Sequence, residues 1–420
     1  MCNIPKLRFP EFKGEWEEKK LSDIASFSKG KGYTKNDLVN DGSPIILYGR
    51  MYTKYETVIS DIDTFVNLQE GSIISKGGEI IVPASGETAE EISRASVVKN
   101  KGIILGGDLN IISLQKDKYN PEFFALTISS GTSQKRLSKL AQGKSVVHLH
   151  NEDLCGLQIK VPSLAEQQKI ADFLSNVDSI ITAETKILNT LQKKKKALMQ
   201  KLFTRQLRFK SADGTNFPAW EEKKFSEVFI YHQTNTFSRN MLNYEEGDTY
   251  NIHYGDILVK FGSYIDFDNS KIPFINSDVT LNKFVSDSFL KDGDIIIADT
   301  AEDESAGKVS EVYNINNKKA LSGLHTILCR PKQIFASKYL GYFMNSNVYH
   351  KQIVKLLVGT KVLSINKSVI ADTIIQIPCL AEQQKIADCL SSMDSLIQTQ
   401  QKVVTTWHQR KKALLQQMFV

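Results

Sequence analysis

Four short strings in this 420-residue chain carry residue types that do chemistry in other settings. Gln142–Ser145 reads QGKS, like the end of a phosphate-cradling loop, but the earlier glycine such a loop needs falls on Ser138. Asn120–Phe123 reads NPEF and resembles the N-P-P-aromatic loop of adenine methyltransferases. Glu122 stands where the second proline belongs, and no glycine-rich cofactor loop precedes it. WEEKK, at Trp16–Lys20 and again at Trp220–Lys224, contains the E-x-K half of a nuclease site without a P-D partner; an exposed helix start is the expected role. His148–His150 reads HLH, a pairing that could hold a metal, yet a second copy of this segment has Ser364 and Asn366 in its place. With no H-E-x-x-H and no G-x-S-x-G, neither a self-contained active site nor a metal centre is expected.

What remains is recognition chemistry on polar loops. In the first half these are SKGKGYTKNDL (Ser28–Leu38) with Lys29, Lys31 and Tyr33, then YGRMYTKYE around Arg50. PASGETAEEISRAS (Pro83–Ser96) follows with Ser85 and Arg94, and GKSVVHLH (Gly143–His150) with Lys144, Ser145 and His148. The second half offers HYGDILVKFGSY with Lys260, ADTAEDESAGKVS with Lys308, and GTKVLSIN with Lys361 and Ser364. Hydroxyls, guanidinium and ammonium groups on loops are what phosphate and base-edge readout use. Ordinary surface loops have the same composition. A net charge of +6 permits a polyanionic partner without requiring one.

Those loops hang on a tandem duplication. LAEQQKIAD occurs at Leu164–Asp172 and again at Leu380–Asp388, and Leu164–Phe203 laid over Leu380–Phe419 gives 22 identities in 40 positions. At the same offset Gln142–Ser163 lies over Val358–Cys379, and Glu79–Glu87 lies roughly over Asp294–Glu302. The frame recurs while the stretches between diverge, as expected of one scaffold carrying two different readers.

Each shared segment starts after a strand-like run ended by Pro162 or Pro378. Ser163 with Glu166 reads as a capping box, which Cys379 weakens in the second copy. Apolar residues then follow a heptad spacing: Ile170, Leu174, Val177, Ile181, Leu188, Leu191, Leu198 and Leu202 against Ile386, Leu390, Met393, Ile397, Val404, Trp407, Leu414 and Met418. The interruptions correspond too, Glu184 and Lys195 against Gln400 and Lys411. Two helices of this length with matching seams predict an intramolecular antiparallel coiled coil.

With 41% hydrophobic and 24% charged residues, the chain reads as globular. No apolar run approaches the ~18 residues of a membrane span. The five cysteines are scattered without a C-x-x-C, which fits a reducing cytoplasm.

Taken together, LRFPEFKGEWEEKKL, PASGETAEEISRASV, QGKSVVHLHNEDLCGLQIKVPSLAEQQKIADFLSNVD and IPCLAEQQKIADCLSSMD resemble the specificity subunits of type I restriction–modification systems. The likeness spans the chain and departs from the family pattern at Cys379. It implies an α+β, pseudo-two-fold protein. Target recognition domains at 1–162 and 206–378 would alternate with spacer helices at 163–205 and 379–420. It also implies that each domain reads half of a gapped double-stranded DNA target through loop residues such as those above. The subunit itself would be non-catalytic. S-adenosylmethionine, ATP and Mg would belong to two methyltransferase subunits and to the restriction subunits. An exposed helix face formed by Glu166, Gln167 and Lys169, with Glu382, Gln383 and Lys385, is expected to dock those partners. The alternative is a coiled-coil adaptor whose variable domains bind proteins.

Overall fold

The computed structural model describes residues 4–115, 117–143 and 146–419. The chain falls into two compact units, Met1–Thr185 with Lys402–Val420, and Lys186–Gln401.

In the first unit the central sheet has the order Ala25–Lys29, Leu109–Leu114, Glu79–Pro83, Ser96–Val98, Val58–Ile59. All its pairings are antiparallel except the last. The middle strand, EIIVP, is buried at every residue, as a strand covered on both faces must be. Ile80 and Val82 pack with Phe123 and Phe124 of the helix Pro121–Ile128, while Ile81 packs on the opposite side with Ile103 and Leu105. A second sheet, ordered Leu38–Val39, Phe65–Val66, Ser43–Ile46, Lys101–Leu105, Ile74–Lys76, supplies that other layer.

The second unit repeats the plan. Its sheet runs Phe229–His232, Thr326–Pro331, Ile295–Ala298, Val309–Tyr313, Tyr264–Asp266. Ile295 and Ile297 face Tyr339 and Phe343, and Ile296 and Ala298 face the opposite core. The expected mixed fold of two like domains is therefore present.

Both predicted long helices form, at Leu164–Phe203 and Leu380–Met418. Within each unit the amino-terminal part of one meets the carboxyl-terminal part of the other. In the first, Ile170 and Leu174 share a core with Met418 and Phe419, and further along Asp178 receives Lys411 Nζ at 2.5 Å. That order is antiparallel. In the second, Ile386 and Leu390 share a core with Leu202 and Phe203, and Asp394 receives Lys195 Nζ at 2.5 Å. Lys195 and Lys411, which interrupt the apolar seams, are thus the cross-helix ion-pair donors.

Two local expectations fail. The WEEKK strings do not start helices. Glu17–Lys20 and Glu221–Lys224 are strands paired antiparallel with Gln158–Val161 and Ile374–Ile377. A one-turn helix follows each. The capping box at Ser163 is half made: Glu166 N–H reaches Ser163 Oγ at 3.4 Å, but the Glu166 carboxylate turns to Arg8.

Candidate nucleic-acid interface

In the first unit a groove of about 1190 Å³ opens beside the short helix Arg50–Thr53. Tyr33, Tyr48, Tyr52, Lys54, Ser85 and Asp108 are among its walls. Tyr33 sits at φ +60° and its hydroxyl is fixed by Ser72 Oγ at 2.7 Å and by the Gln69 N–H at 2.8 Å. Tyr52 donates to the Ser85 carbonyl at 2.6 Å, and Ser85 Oγ lies 3.2 Å from His148 Nδ1. The sequence-derived residues Tyr33, Ser85 and His148 are therefore brought to one place. Lys29 and Lys31 are exposed at the end of strand Ala25–Lys29 and just after it. Arg94 lies 5.5 Å from the Tyr55 ring.

Arg50 corrects the sequence reading. It is 9% exposed, with Nη1 on Asp63 at 2.6 Å and Nη2 on Glu56 and the Asp61 carbonyl, each at 2.8 Å. Freeing it for a phosphate would strip Glu56 of its ion pair and leave Asp63 to Lys54 alone, so Arg50 as it stands pins the loop after the helix. Lys54 also binds Asp63, at 3.1 Å; Lys54, then Arg50, holds that carboxyl below the usual carboxylate range.

The second unit carries a counterpart that sequence reading overlooked. YGRMYTK (Tyr48–Lys54) and YGDILVK (Tyr254–Lys260) follow the strands Ser43–Ile46 and Thr249–Ile252, and each forms a short helix, Arg50–Thr53 and Tyr254–Val259. Their offset is 206 rather than 216, so alignment on the shared helices hides the match. At one position the charge is inverted: Arg50 in the first unit, Asp256 in the second. Asp256 is fully buried and held by Arg239 Nη1 at 2.7 Å and Lys260 Nζ at 3.0 Å. Lys260 also bonds the Tyr244 hydroxyl and lies 4.6 Å from that ring, with Lys271 5.3 Å from the same ring. Lys308 donates to the Leu258 carbonyl at 2.8 Å, and its burial pushes its pKa down. Burial, with Arg239 nearby, pushes His253 down to about 4, so its neutral Nδ1 accepts from the Gly255 N–H.

A hairpin beside each face is built alike. Gln142 bridges His148 and Val358 bridges Ser364. Gly143 and Gly359 sit at φ +141° and +134°, where a Cβ would lie 1.8 or 1.9 Å from the carbonyl of Val146 or Val362. Lys361 and Ser364 are exposed on the second hairpin. Lys144 and Ser145 lie outside the described residues.

The expected partner-docking face is corrected more sharply. Glu166, Gln167, Glu382 and Gln383 are at most 2% exposed. Glu166 takes Arg8 Nε and Nη2, both at 2.8 Å, and the Trp16 indole N–H at 3.3 Å. Glu382 takes Arg208 Nε at 3.0 Å, Nη2 at 2.7 Å and the Trp220 indole at 2.9 Å. Gln167 donates to the Pro162 carbonyl and accepts from the Asn120 N–H; Gln383 does the same with Pro378 and Ala336. Lys169, exposed, lies 5.5 Å from the Phe9 ring, and Lys385, half-buried, 5.7 Å from Phe217. Glu166 and Gln167, like Glu382 and Gln383, clamp each upstream segment onto its own helix, while Gln168, Lys169 and Gln384 stay exposed beside them.

Among the described residues there is no cluster of side chains able to hold a metal, and no helix long and apolar enough to cross a membrane.

Two α/β units of like topology, each with polar loops and its own share of the two long helices, define a duplicated architecture. The family described as type I restriction modification DNA specificity domain matches the chain twice, over residues 13–193 and 219–406. The chain belongs to that family and carries two copies of its domain. It is 26% identical to the type I restriction enzyme MjaVIII specificity subunit of Methanocaldococcus jannaschii, over 97% of this chain and 92% of the relative. In fold it is similar to the crystal structure of a type I restriction–modification S subunit from M. genitalium, with TM-score 0.56 and 15% identity over 99% of both chains. A chain from a structural study of complex assembly and conformational transition of the type I system matches with TM-score 0.54 and 15% identity, over 95% and 96% of the two chains.

Proposed function

We propose that this chain is the non-catalytic, DNA-reading subunit of a cytoplasmic type I restriction–modification complex. Each unit reads one half of a gapped, asymmetric double-stranded target. The shared helices carry two methyltransferase subunits, and restriction subunits join the full complex. S-adenosylmethionine, ATP and Mg then belong to those partners.

The observation that carries this reading is a contrast inside the duplication. The frame contacts recur residue for residue: Arg8–Glu166–Trp16 with Arg208–Glu382–Trp220, and Lys411–Asp178 with Lys195–Asp394. The faces do not, for Arg50 and Asp256 hold one position with opposite charge. A frame kept twice with unlike faces is what reading two unlike half-sites requires.

Methylation mapping of a host carrying the chain with its methyltransferase is expected to return a bipartite motif with unlike halves and a fixed gap. Methylation independent of this chain, or a single contiguous motif, refutes the proposal. Inserting one four-residue helical turn after Thr185 and another after Gln401, at the boundaries of the units, adds about 6 Å to each helix. The gap should then grow by about two base pairs, at roughly 3.4 Å per pair. An unchanged gap rules out the helices as its ruler.

A further inference from the structure

Val259 is 84% exposed, the most exposed large apolar side chain among the described residues. A single exposed valine is ordinary on a protein surface. Its surroundings are not. It closes the short helix Tyr254–Val259, the element that recurs beside the groove of the first unit. Four cations gather there: Arg239 and Lys260 on Asp256, Lys308 on the Leu258 carbonyl, and Lys271 over the Tyr244 ring that Lys260 also touches. Asp256, the carboxylate that Arg239 and Lys260 share, is fully buried, and neither Lys308 nor Lys271 pairs with it. The helix end therefore carries an excess of positive charge around a bare isopropyl group.

A polyanion satisfies the cations, and among polyanions duplex DNA offers an apolar point within reach of its phosphates, the thymine C5 methyl in the major groove. Resting on the reading of the second unit as a DNA-recognition domain, we propose that Val259 is a specificity-determining residue that contacts a thymine methyl, with Lys260 and Lys271 placed toward the flanking phosphates. The first unit has Thr53 at this position, its hydroxyl returned to the Gly49 carbonyl at 3.1 Å, and Lys54 there is neutralised by Asp63. The two units would thus not share this contact.

The test uses the full chain with its methyltransferase and duplexes bearing the mapped target, each thymine replaced singly by deoxyuridine, which lacks only the methyl. At one thymine of one half-site, deoxyuridine should weaken binding by the parent about fourfold, the scale of one buried methyl group. Val259→Ala should bind thymine and deoxyuridine equally at that position, while its response at other thymines is unchanged. So exposed a side chain can be truncated without unfolding the unit. If every thymine tolerates the replacement, or if Val259→Ala keeps the parent's sensitivity, this inference falls while the proposed function stands. If Val259→Ala instead loosens the methyltransferase and leaves thymine discrimination intact, the tip is a subunit contact and the inference also falls. Absence of any sequence-specific target overturns both readings.

Discussion

Arg208→Ala should destabilise the second unit by about 3–5 kcal/mol, the cost of stripping one partner from a buried ion pair. Glu382 is 0% exposed and accepts two N–H groups from Arg208 and one from Trp220. Without the guanidinium, a carboxylate remains in the interior with a single indole donor. Arg208 also donates to the carbonyls of Phe217 and Pro218, so the same change releases the segment leading into the sheet. Adding Glu382→Gln to Arg208→Ala should restore much of the loss, because a neutral amide oxygen can still accept from Trp220. Arg208→Lys should rescue poorly, since an ammonium cannot reproduce the two-pronged geometry. Denaturant titration of the full chain measures this; a loss below about 1 kcal/mol for Arg208→Ala means the pair is not holding the unit together.

The second large effect is a pH slope set by Glu311. Its carboxyl is almost wholly buried on strand Val309–Tyr313 and accepts the backbone N–H groups of Lys338 and Gly341 at 2.5 and 2.8 Å. Burial pushes it from an ordinary value of 4.5 up to about 7; the two N–H donors and the Lys338 ammonium oppose the rise without cancelling it. With the folded value above the unfolded one, the fold holds a proton that the unfolded chain releases. This contribution is complete below about pH 4.5 and is lost as pH climbs to about 7, amounting to roughly 3 kcal/mol. Glu311→Gln removes the titration but gives up one acceptor, because an amide NH2 cannot take the second backbone N–H. Its stability relative to the parent should therefore rise from pH 4.5 to pH 8 by roughly 3 kcal/mol, whatever the constant offset from the lost hydrogen bond. Parallel melting curves for the two chains that never diverge with pH would falsify this assignment.

The frame was legible in the sequence because a duplication with a strict offset exposes itself. The heptad seams, the strands before Pro162 and Pro378, and the antiparallel pairing all follow from periodicity. The burial of Glu166 and Gln167 did not follow. A polar residue in the first turn of a helix reads the same whether water or an arginine meets it, and the arginine here lies 158 positions upstream of its carboxylate. The recurrence of an Arg and a Trp ahead of both strings was the available clue. Arg50 misled for a related reason: a guanidinium on a loop looks like a phosphate ligand until its two carboxylates are placed around it. The match between the Y-G…K helices was not legible because the segments between them and the shared helices differ in length by ten residues, shifting the register between copies.

The way the units share their helices bears on how the protein is made. The second unit is one unbroken stretch, Lys186–Gln401, whose parts all emerge before the first unit can finish. The first unit's core includes Met418 and Phe419, with the Phe419 ring tilted against Phe123 at 5.6 Å, and its Lys411–Asp178 pair closes a loop of 233 residues. On the ribosome, then, the segment translated first is completed last. Until its final helix is delivered, the first unit waits with an open apolar seam along Ile170 and Leu174, and the later-translated unit is the one that folds ahead of it.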